Sequence, residues 1–205
     1  NSLTTTFAFT VICGGMISRT FANSISSDSD KIRGLAIALL GQKRNLLESI
    51  TADDYTKPCQ SVFNATVGSH VRHSLNHYQS LISAVERNSV TNYDDRQRNT
   101  DIETDKVAAM TELDVIVAKV PTLHLEDLVI MKFYGDASIN FEPYSVHSNI
   151  GRELSFVTHH AVHHLAMIKL IMNNMSYTTS EQVGIAMSTL KNLQSPNNDQ
   201  CSAGK

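Results

Sequence analysis

The chain lacks several residue types and motifs, and each absence excludes a class of protein. Its 205 residues contain no tryptophan and three cysteines, and no two cysteines have Cys-x-x-Cys spacing. This excludes zinc ribbons, thioredoxin-like redox motifs and c-type haem attachment. The net charge is −3 and no run of Lys or Arg occurs. The sequence therefore lacks the electrostatic footprint of a nucleic-acid-binding protein.

The sequence also lacks an apolar run long enough to cross a membrane. The run from Phe7 to Ile17 has about the length of a signal-peptide core. Thr20-Phe21-Ala22 follows it and resembles a cleavage site, but no basic residue precedes the run. The segment predicts either a remnant of a secretory or organellar signal within residues 1–22 or a packed N-terminal helix, and it leaves the compartment open.

The composition is that of one folded domain. Apolar residues make up 41% of the chain and charged residues 18%, which suffices for one sizeable core. We predict an N-terminal apolar segment over 1–27, a single domain over 28–194 and a polar tail over 195–205.

Two long helices are predicted in the first half of the chain. Apolar residues recur at helical spacing over 29–51, which predicts a helix with Asp28 or Ser29 as its cap. A second helix is predicted over 67–87, with Thr66 as its cap.

A polar stretch over 88–99 predicts a loop. Thr100 to Glu103 then has the pattern of a capping box, with Glu103 as the partner of the cap, and it begins a third helix that ends before Pro121. Two short strands are predicted next, over 128–134 and 138–144, with a turn between them.

A long fourth helix follows this hairpin-like insertion. Ser148 or Asn149 caps it, and it ends near Asn174. A short last helix follows Ser180 and runs from Glu181 to Leu193. Four substantial helices with a long connection before the fourth predict an all-α fold, a four-helix bundle with a β-hairpin-like insertion and a short extra C-terminal helix.

Histidine is the residue whose placement is most informative. Seven of the nine histidines lie in the second and fourth predicted helices, at positions 70, 73 and 77 and at 159, 160, 163 and 164. Histidines four residues apart lie one above the other on one helix face, so two of their rings can bind one metal ion. A third ring from another helix would leave a coordination position open.

Helical periodicity selects the inward pair of the fourth helix. His160 and His164 lie on its apolar side, and His159 and His163 lie on a flank. Buried histidines can simply form hydrogen bonds inside a core. However, two adjacent buried rings compete for few partners, and a shared cation satisfies both.

The second helix leaves its ligand undecided from periodicity. His70 and His77 lie close to the apolar face and His73 lies at its edge, so any of the three can reach an ion between the helices. The chain contains neither Glu-x-x-His, typical of di-iron bundles, nor His-Glu-x-x-His, typical of metalloproteases. With these two motifs absent, the sequence predicts a histidine-rich site for a single metal ion.

Four segments together match a known pattern. They are His160 to Ile168, Val67 to His73, Tyr93 to Arg98 with Ile102 to Asp105, and Gly184 to Leu190. The first two resemble the ligand helices of the DinB-like family of metal-binding four-helix bundles, and the others are similar to one branch of it. The resemblance spans roughly residues 30–193. It departs from the commonest pattern at Met167, where glutamine is usual, and at Met187, where proline is more usual.

The resemblance implies a particular set of ligands. In this family the first ligand is the histidine before the Ser-Leu turn, which corresponds to His73 rather than to the His70 or His77 that the helical wheel favours. The implied metal site is therefore His73, His160 and His164, with zinc, nickel, iron or manganese as the ion. The remaining neighbours, His70, His77 and His163, are alternative ligands or groups that orient the ligands.

The resemblance also implies a class of chemistry. Characterised relatives include thiol S-transferases and isomerases that use low-molecular-weight thiols. We therefore predict a metal-dependent thiol transferase or hydrolase that acts on a small electrophile. Arg96 or Arg98 would bind an anionic end of the substrate, unless both are solvated loop charges, and Tyr93 or Asp94 would move a proton. By resemblance the protein is cytoplasmic, and a homodimer is left open.

A second hypothesis is a non-catalytic bundle that binds a metal or a small ligand. An enzyme predicts an open coordination position beside a polar pocket of a few hundred Å³. A binding or structural protein predicts a fourth protein ligand, such as His70 or His77, that closes the coordination sphere.

Overall fold

The structure, a computed structural model, describes residues 27–95, 100–136, 138 and 140–195. This part of the chain is mostly helical, with a small three-stranded sheet. The helices are α1 (Asp28–Ser49), α2 (Ala52–Thr56), α3 (Val67–Arg87), α4 (Asp101–Thr104), α5 (Lys106–Lys119), α6 (Ile150–Asn174) and α7 (Met187–Leu193), with 3-10 turns at Gln60–Val62 and Val120–Thr122. The strands are β1 (Thr91–Asn92), β2 (Leu128–Phe133) and β3 (Tyr144–Asn149). The predicted N-terminal segment and polar tail lie outside the described residues, except for one residue of each.

Side-chain caps begin helices α1, α3 and α6. Thr66 caps α3 as predicted, since its hydroxyl accepts the Ser69 N–H at 2.9 Å. Of the two candidates for α6, Asn149 is the cap. The prediction for α1 was wrong by one or two residues, because Ser27 is its cap and forms a reciprocal capping box with Asp30.

The predicted capping box of the third helix was wrong. The Thr100 side chain makes no capping hydrogen bond, and the segment divides at Asp105 into α4 and α5, with Asp105 capping α5. Glu103 instead forms an ion pair with Arg72 of α3, at 2.8 Å between Oε2 and Nε. The Glu103 carboxylate therefore pairs with Arg72 of a neighbouring helix and does not cap its own helix. The end of the helix before Pro121 is confirmed.

The sheet also differs from the prediction. Strand β2 lies where predicted, but the second strand is 144–149 rather than 138–144, and it pairs antiparallel with β2 from Leu128↔Asn149 to Phe133↔Tyr144. Pro143 and the positive φ angles of Asn140 and Phe141 explain the shift, because they break the predicted strand. Strand β1, in a segment predicted as loop, pairs parallel with β2.

The last helix is shorter than predicted. It begins at Met187 rather than after Ser180, because Gly184 has a φ of +73° and ends the preceding turn. A Cβ at Gly184 would lie 2.5 Å from the Ala166 backbone, so glycine permits this segment to pack closely on α6.

The four long helices position the histidines. Helix α6 packs against α1 and α3, and α5 packs against the same two helices. The core between them is built mainly from leucine and isoleucine, including the fully buried Leu40, Leu75, Leu113, Leu154 and Ile168. The histidines of α3 and α6 therefore face each other across a direct helix–helix contact. In the part of the chain that the structure describes, no helix is long and apolar enough to span a membrane.

Candidate metal centre

Ring nitrogens from α3 and α6 meet at short distances. His73 Nε2 lies 3.1 Å from His160 Nε2, and His160 Nε2 lies 3.0 Å from His164 Nε2. Candidate ligand atoms of His73, His77 and His160 all lie within 4.8 Å of one another. The packing of the two helices thus brings at least four imidazoles to one place.

These distances fit a shared cation. At metal–nitrogen bonds of about 2.0–2.1 Å, a tetrahedral ion holds its nitrogen ligands about 3.3 Å apart. Without an ion, two ring nitrogens at 3.0 and 3.1 Å converge on the one lone pair of His160 Nε2. An sp² nitrogen accepts one good hydrogen bond, so this arrangement is better satisfied by a positive ion than by two N–H groups.

His77 has a backbone partner that defines its ligand atom. Its Nδ1 lies 2.9 Å from the His73 carbonyl oxygen, so Nδ1 carries the hydrogen and donates it. The Nε2 lone pair is then left to bind a metal ion, as in many histidine–metal sites. The ring is also stacked on Tyr93, with 5.0 Å between the ring centroids.

Burial keeps two rings of the cluster, His164 and His77, neutral, which is the form that binds metal. Burial lowers the pKa of His164 to about 2, with further contributions from the neighbouring His160, His70, Lys43 and His163. Burial also lowers the pKa of His77 to about 4, partly opposed by Asp94.

The other histidines of the two helices differ in position. The His70 Nδ1 lies 3.0 Å from the His164 Nδ1, on the side of His164 that faces away from His160. His163 is exposed, with its ring centroid 5.1 Å from that of His164. His159 is exposed. The structure therefore brings His73, His77 and His160 within 4.8 Å of one another, while His164 contacts His160 on one side and His70 on the other.

Two of the four predicted substrate residues can be located. Tyr93 is buried beside His77, and its hydroxyl donates to Glu153 Oε2 at 3.0 Å. The Asp94 carboxylate is exposed and accepts the Tyr134 N–H. Arg96 and Arg98 lie outside the described residues.

Sequence reasoning missed a buried carboxylate near the centre. Glu153 is fully buried and accepts hydrogen bonds from Tyr93, Ser148 and Arg152. With Arg152 it lines a cavity of about 470 Å³ between the β2–β3 hairpin and the start of α6. Glu153 lies seven residues before His160, which is two helical turns on the same face, so its spacing was a usable signal.

Three more neighbours were missed. The Arg152 guanidinium lies 5.4 Å from the Phe156 ring centroid, and the Phe156 ring lies parallel to His160 with centroids 5.9 Å apart. On α1, Lys43 is fully buried and its Nζ donates to the Ser74 hydroxyl. Burial lowers the pKa of Lys43 to about 7. Lys43 interrupts an otherwise apolar face of the predicted helix, so its burial could have been predicted from the sequence.

Comparison with known proteins gives one partial match. No protein-family model matches the chain, and no solved structure matches it. Over 109 residues the chain is 31% identical to FK506-binding protein 5 of the fungus Rhizopus delemar. The match covers 52% of this chain and 28% of the fungal protein, so the chain spans less than a third of that relative.

Proposed function

We propose that the protein is a metal-dependent enzyme built on a DinB-like four-helix bundle, and that it transfers a thiol to, or hydrolyses, a small electrophile. The observation that carries the proposal is the position of His160 Nε2, which lies 3.1 Å from His73 Nε2 of α3 and 3.0 Å from His164 Nε2. Candidate ligand atoms of His73, His77 and His160 also lie within 4.8 Å of one another. The bundle is supported by the cyclic packing of α1, α6, α3 and α5, each against two of the others.

The donor set fits a divalent ion of the transition series. The favoured ligands are His73, His160 and His164, with His77 as the alternative, and imidazole nitrogen suits zinc, nickel and iron. These residues would hold the ion, and such an ion would favour the deprotonated form of a bound thiol or, in the case of zinc, lower the pKa of a bound water to about 7. The chain holds His164, and the alternative ligand His77, neutral through burial, which lowers the pKa of both rings.

Tyr93 is placed to hold a proton beside the centre. Its ring lies against His77 and its hydroxyl donates to the buried Glu153. Burial and the Glu153 charge raise the pKa of Tyr93, so the phenol stays protonated at neutral pH. Arg152 offers a cation to an anionic end of the substrate, because 60% of its side chain is exposed and it lies above Phe156.

A non-catalytic metal-binding bundle is the second candidate, and His77 favours it. Its Nε2 lone pair is available, and its candidate ligand atom lies within 4.8 Å of those of His73 and His160. If His77 binds the ion together with the other three histidines, the tetrahedral sphere is closed and no position remains for a substrate.

Metal content tests the centre itself. The wild-type protein, the double variant His160→Ala/His164→Ala and the control His159→Ala are purified in parallel and analysed by inductively coupled plasma mass spectrometry. We expect about one ion per chain in the wild type and in the control, whose histidine is exposed on the same helix. We expect loss of the ion from the double variant. Equal metal in all three would exclude the site.

Activity separates the enzyme from the binding protein. Loss of free thiol is followed with several thiols and small electrophiles, with and without a chelator, on protein loaded with zinc, nickel, iron or manganese. If the protein is an enzyme, we expect turnover that a chelator abolishes and that is absent in His160→Ala/His164→Ala. A protein that retains its ion but is inactive with every metal would be the non-catalytic bundle.

A further inference from the structure

His164 makes contacts through both of its ring nitrogens, and this distinguishes it within the cluster. Nε2 lies 3.0 Å from His160 Nε2, and Nδ1 lies 3.0 Å from His70 Nδ1. The ring is buried, and so is the Nε2 atom of His70. A neutral His164 ring carries a single N–H hydrogen, so it can donate in only one of these two contacts.

The position of that proton follows from the metal centre. If His164 Nε2 is a ligand, its lone pair is committed and the hydrogen must be on Nδ1. That hydrogen points at His70 Nδ1, which can then only accept. His70 must in turn carry its own hydrogen on Nε2. The opposite arrangement would put a hydrogen on His164 Nε2 and block it as a ligand.

We propose that His70 is a positioning residue that fixes the tautomer and ring orientation of His164, through the hydrogen bond from His164 Nδ1–H to His70 Nδ1. The inference rests on the proposed metal centre and extends it by giving His70 a role other than ligand. The tautomer of His77 is set by a different partner, because its Nδ1–H donates to the His73 carbonyl oxygen within its own helix.

The His70 Nε2 atom supports this assignment. It is buried and has no hydrogen-bond partner among the described residues. A buried polar atom without a partner destabilises the fold. No described group therefore bonds to Nε2 and sets its protonation, so Nδ1 can be the nitrogen that accepts from His164.

The tautomers can be observed directly. Long-range ¹H–¹⁵N spectra of the zinc-loaded protein distinguish Nδ1–H from Nε2–H for each ring. We expect His164 with its hydrogen on Nδ1 and His70 with its hydrogen on Nε2. A zinc-loaded His164 with its hydrogen on Nε2, or a His70 with its hydrogen on Nδ1, would overturn the proposal.

Zinc affinity provides the second readout. His70→Phe removes the acceptor, and it should weaken zinc binding by about 10- to 100-fold. His70→Gln restores an acceptor oxygen and should recover much of this loss, which a merely structural role would not predict. His159→Phe is the matched control, because His159 is exposed on the same helix as His164. We expect its affinity to be unchanged.

The outcomes separate this inference from the proposed function. Equal zinc affinity in the wild type and His70→Phe would refute the positioning role while leaving the metal centre intact. Equal losses in His70→Phe and His70→Gln would also refute it. An absence of zinc binding by the wild type would refute the metal centre and the inference together.

Discussion

At the residue scale, the most unusual group is the amine of Lys43. It is fully buried on α1, and its described hydrogen-bond partner is the neutral hydroxyl of Ser74 rather than a carboxylate. Desolvation disfavours its charged form and lowers its pKa from 10.5 to about 7. Lys43 also contributes to keeping His77 and His164 neutral. It is therefore a destabilising residue at a position next to the candidate centre.

Lys43→Met should stabilise the fold at neutral pH. Between pH 7 and 10.5 the unfolded lysine binds more protons than the folded one, so wild-type stability rises with pH across this range. Methionine removes this dependence. We expect a net gain on the order of 2 kcal/mol at pH 7, after about 1 kcal/mol is lost at the Ser74 hydroxyl. Urea unfolding at pH 7 and pH 10 measures both effects. A variant less stable than the wild type at pH 7 would contradict the argument.

Gly68 allows α3 to approach α4 closely. A Cβ at this position would lie 2.0 Å from the Glu103 carbonyl oxygen and 3.0 Å from the Tyr55 ring. Gly68→Ala should therefore destabilise the fold by roughly 1–3 kcal/mol or more. Gly34→Ala in α1 is the matched control, because a Cβ there meets nothing within 4 Å. It should stabilise the helix by about 0.5–1 kcal/mol. Thermal unfolding should show a lower melting temperature for Gly68→Ala and a higher one for Gly34→Ala.

At the element scale, α6 decides the geometry of the centre. It is 25 residues long, and it follows β3 directly, so the strand register and the helix cap together set where the helix begins. Arg152, Phe156, His160 and His164 lie four residues apart along it and form one stripe. A cation, an aromatic ring and two candidate ligands are thereby presented on one face.

The cap of α6 can be tested by itself. Asn149 Oδ1 accepts the Arg152 N–H at 2.8 Å. Asn149→Ala should cost about 1 kcal/mol of stability, and Asn149→Asp should restore most of it because aspartate also caps helices well. His160 lies three helical turns away, so zinc affinity should stay unchanged in both variants. Chemical denaturation and zinc titration measure the two quantities. Loss of zinc binding in Asn149→Ala would show that the cap also positions the ligands.

At the scale of the whole molecule, the buried histidines make stability depend on pH. The folded pKa values of His77 and His164 lie at about 4 and 2, and burial also lowers that of His70. The unfolded chain binds protons at these rings below about pH 6.5. The folded metal-free protein does not, so its stability is present above pH 6.5 and is lost as the pH falls towards 4 and below.

This dependence should appear in metal-free protein as a falling free energy of unfolding from pH 7 to pH 4. His77→Phe removes one of the contributing rings, so its stability should fall less steeply with decreasing pH. Urea unfolding at several pH values measures both slopes. Parallel slopes for the wild type and the variant would show that His77 does not stay neutral in the folded state.

Metal binding should raise the stability of the whole molecule by linkage. An ion that binds the folded chain alone, at 100 times its dissociation constant, adds about 2.7 kcal/mol. We therefore expect zinc to raise the melting temperature of the wild type and a chelator to reverse the effect. His160→Ala/His164→Ala should show no shift with zinc, and His159→Ala should shift like the wild type. A similar shift in the double variant would indicate a zinc site elsewhere.

Local patterns predicted the parts of the fold that depend on neighbouring residues. The extent of α3 and the caps Thr66 and Asn149 follow from helical periodicity and from cap chemistry, both of which act over a few residues. The same reasoning failed where a distant partner intervened. Glu103 pairs with Arg72 of α3 instead of completing a local capping box. Strand β3 was misplaced for a local reason, because Pro143 interrupts the predicted strand.

The sequence by itself determined that seven histidines occupy two amphipathic helices, with His160 and His164 on the apolar side of theirs. Only the tertiary structure decided which nitrogens meet, because His73 and His160 are 87 residues apart in the chain and His70 and His164 are 94 apart. Helical periodicity gives the direction of a side chain around its own axis. It contains no information on the rotation and offset of a second helix, and these decide which ring atoms come within bonding distance of a common ion.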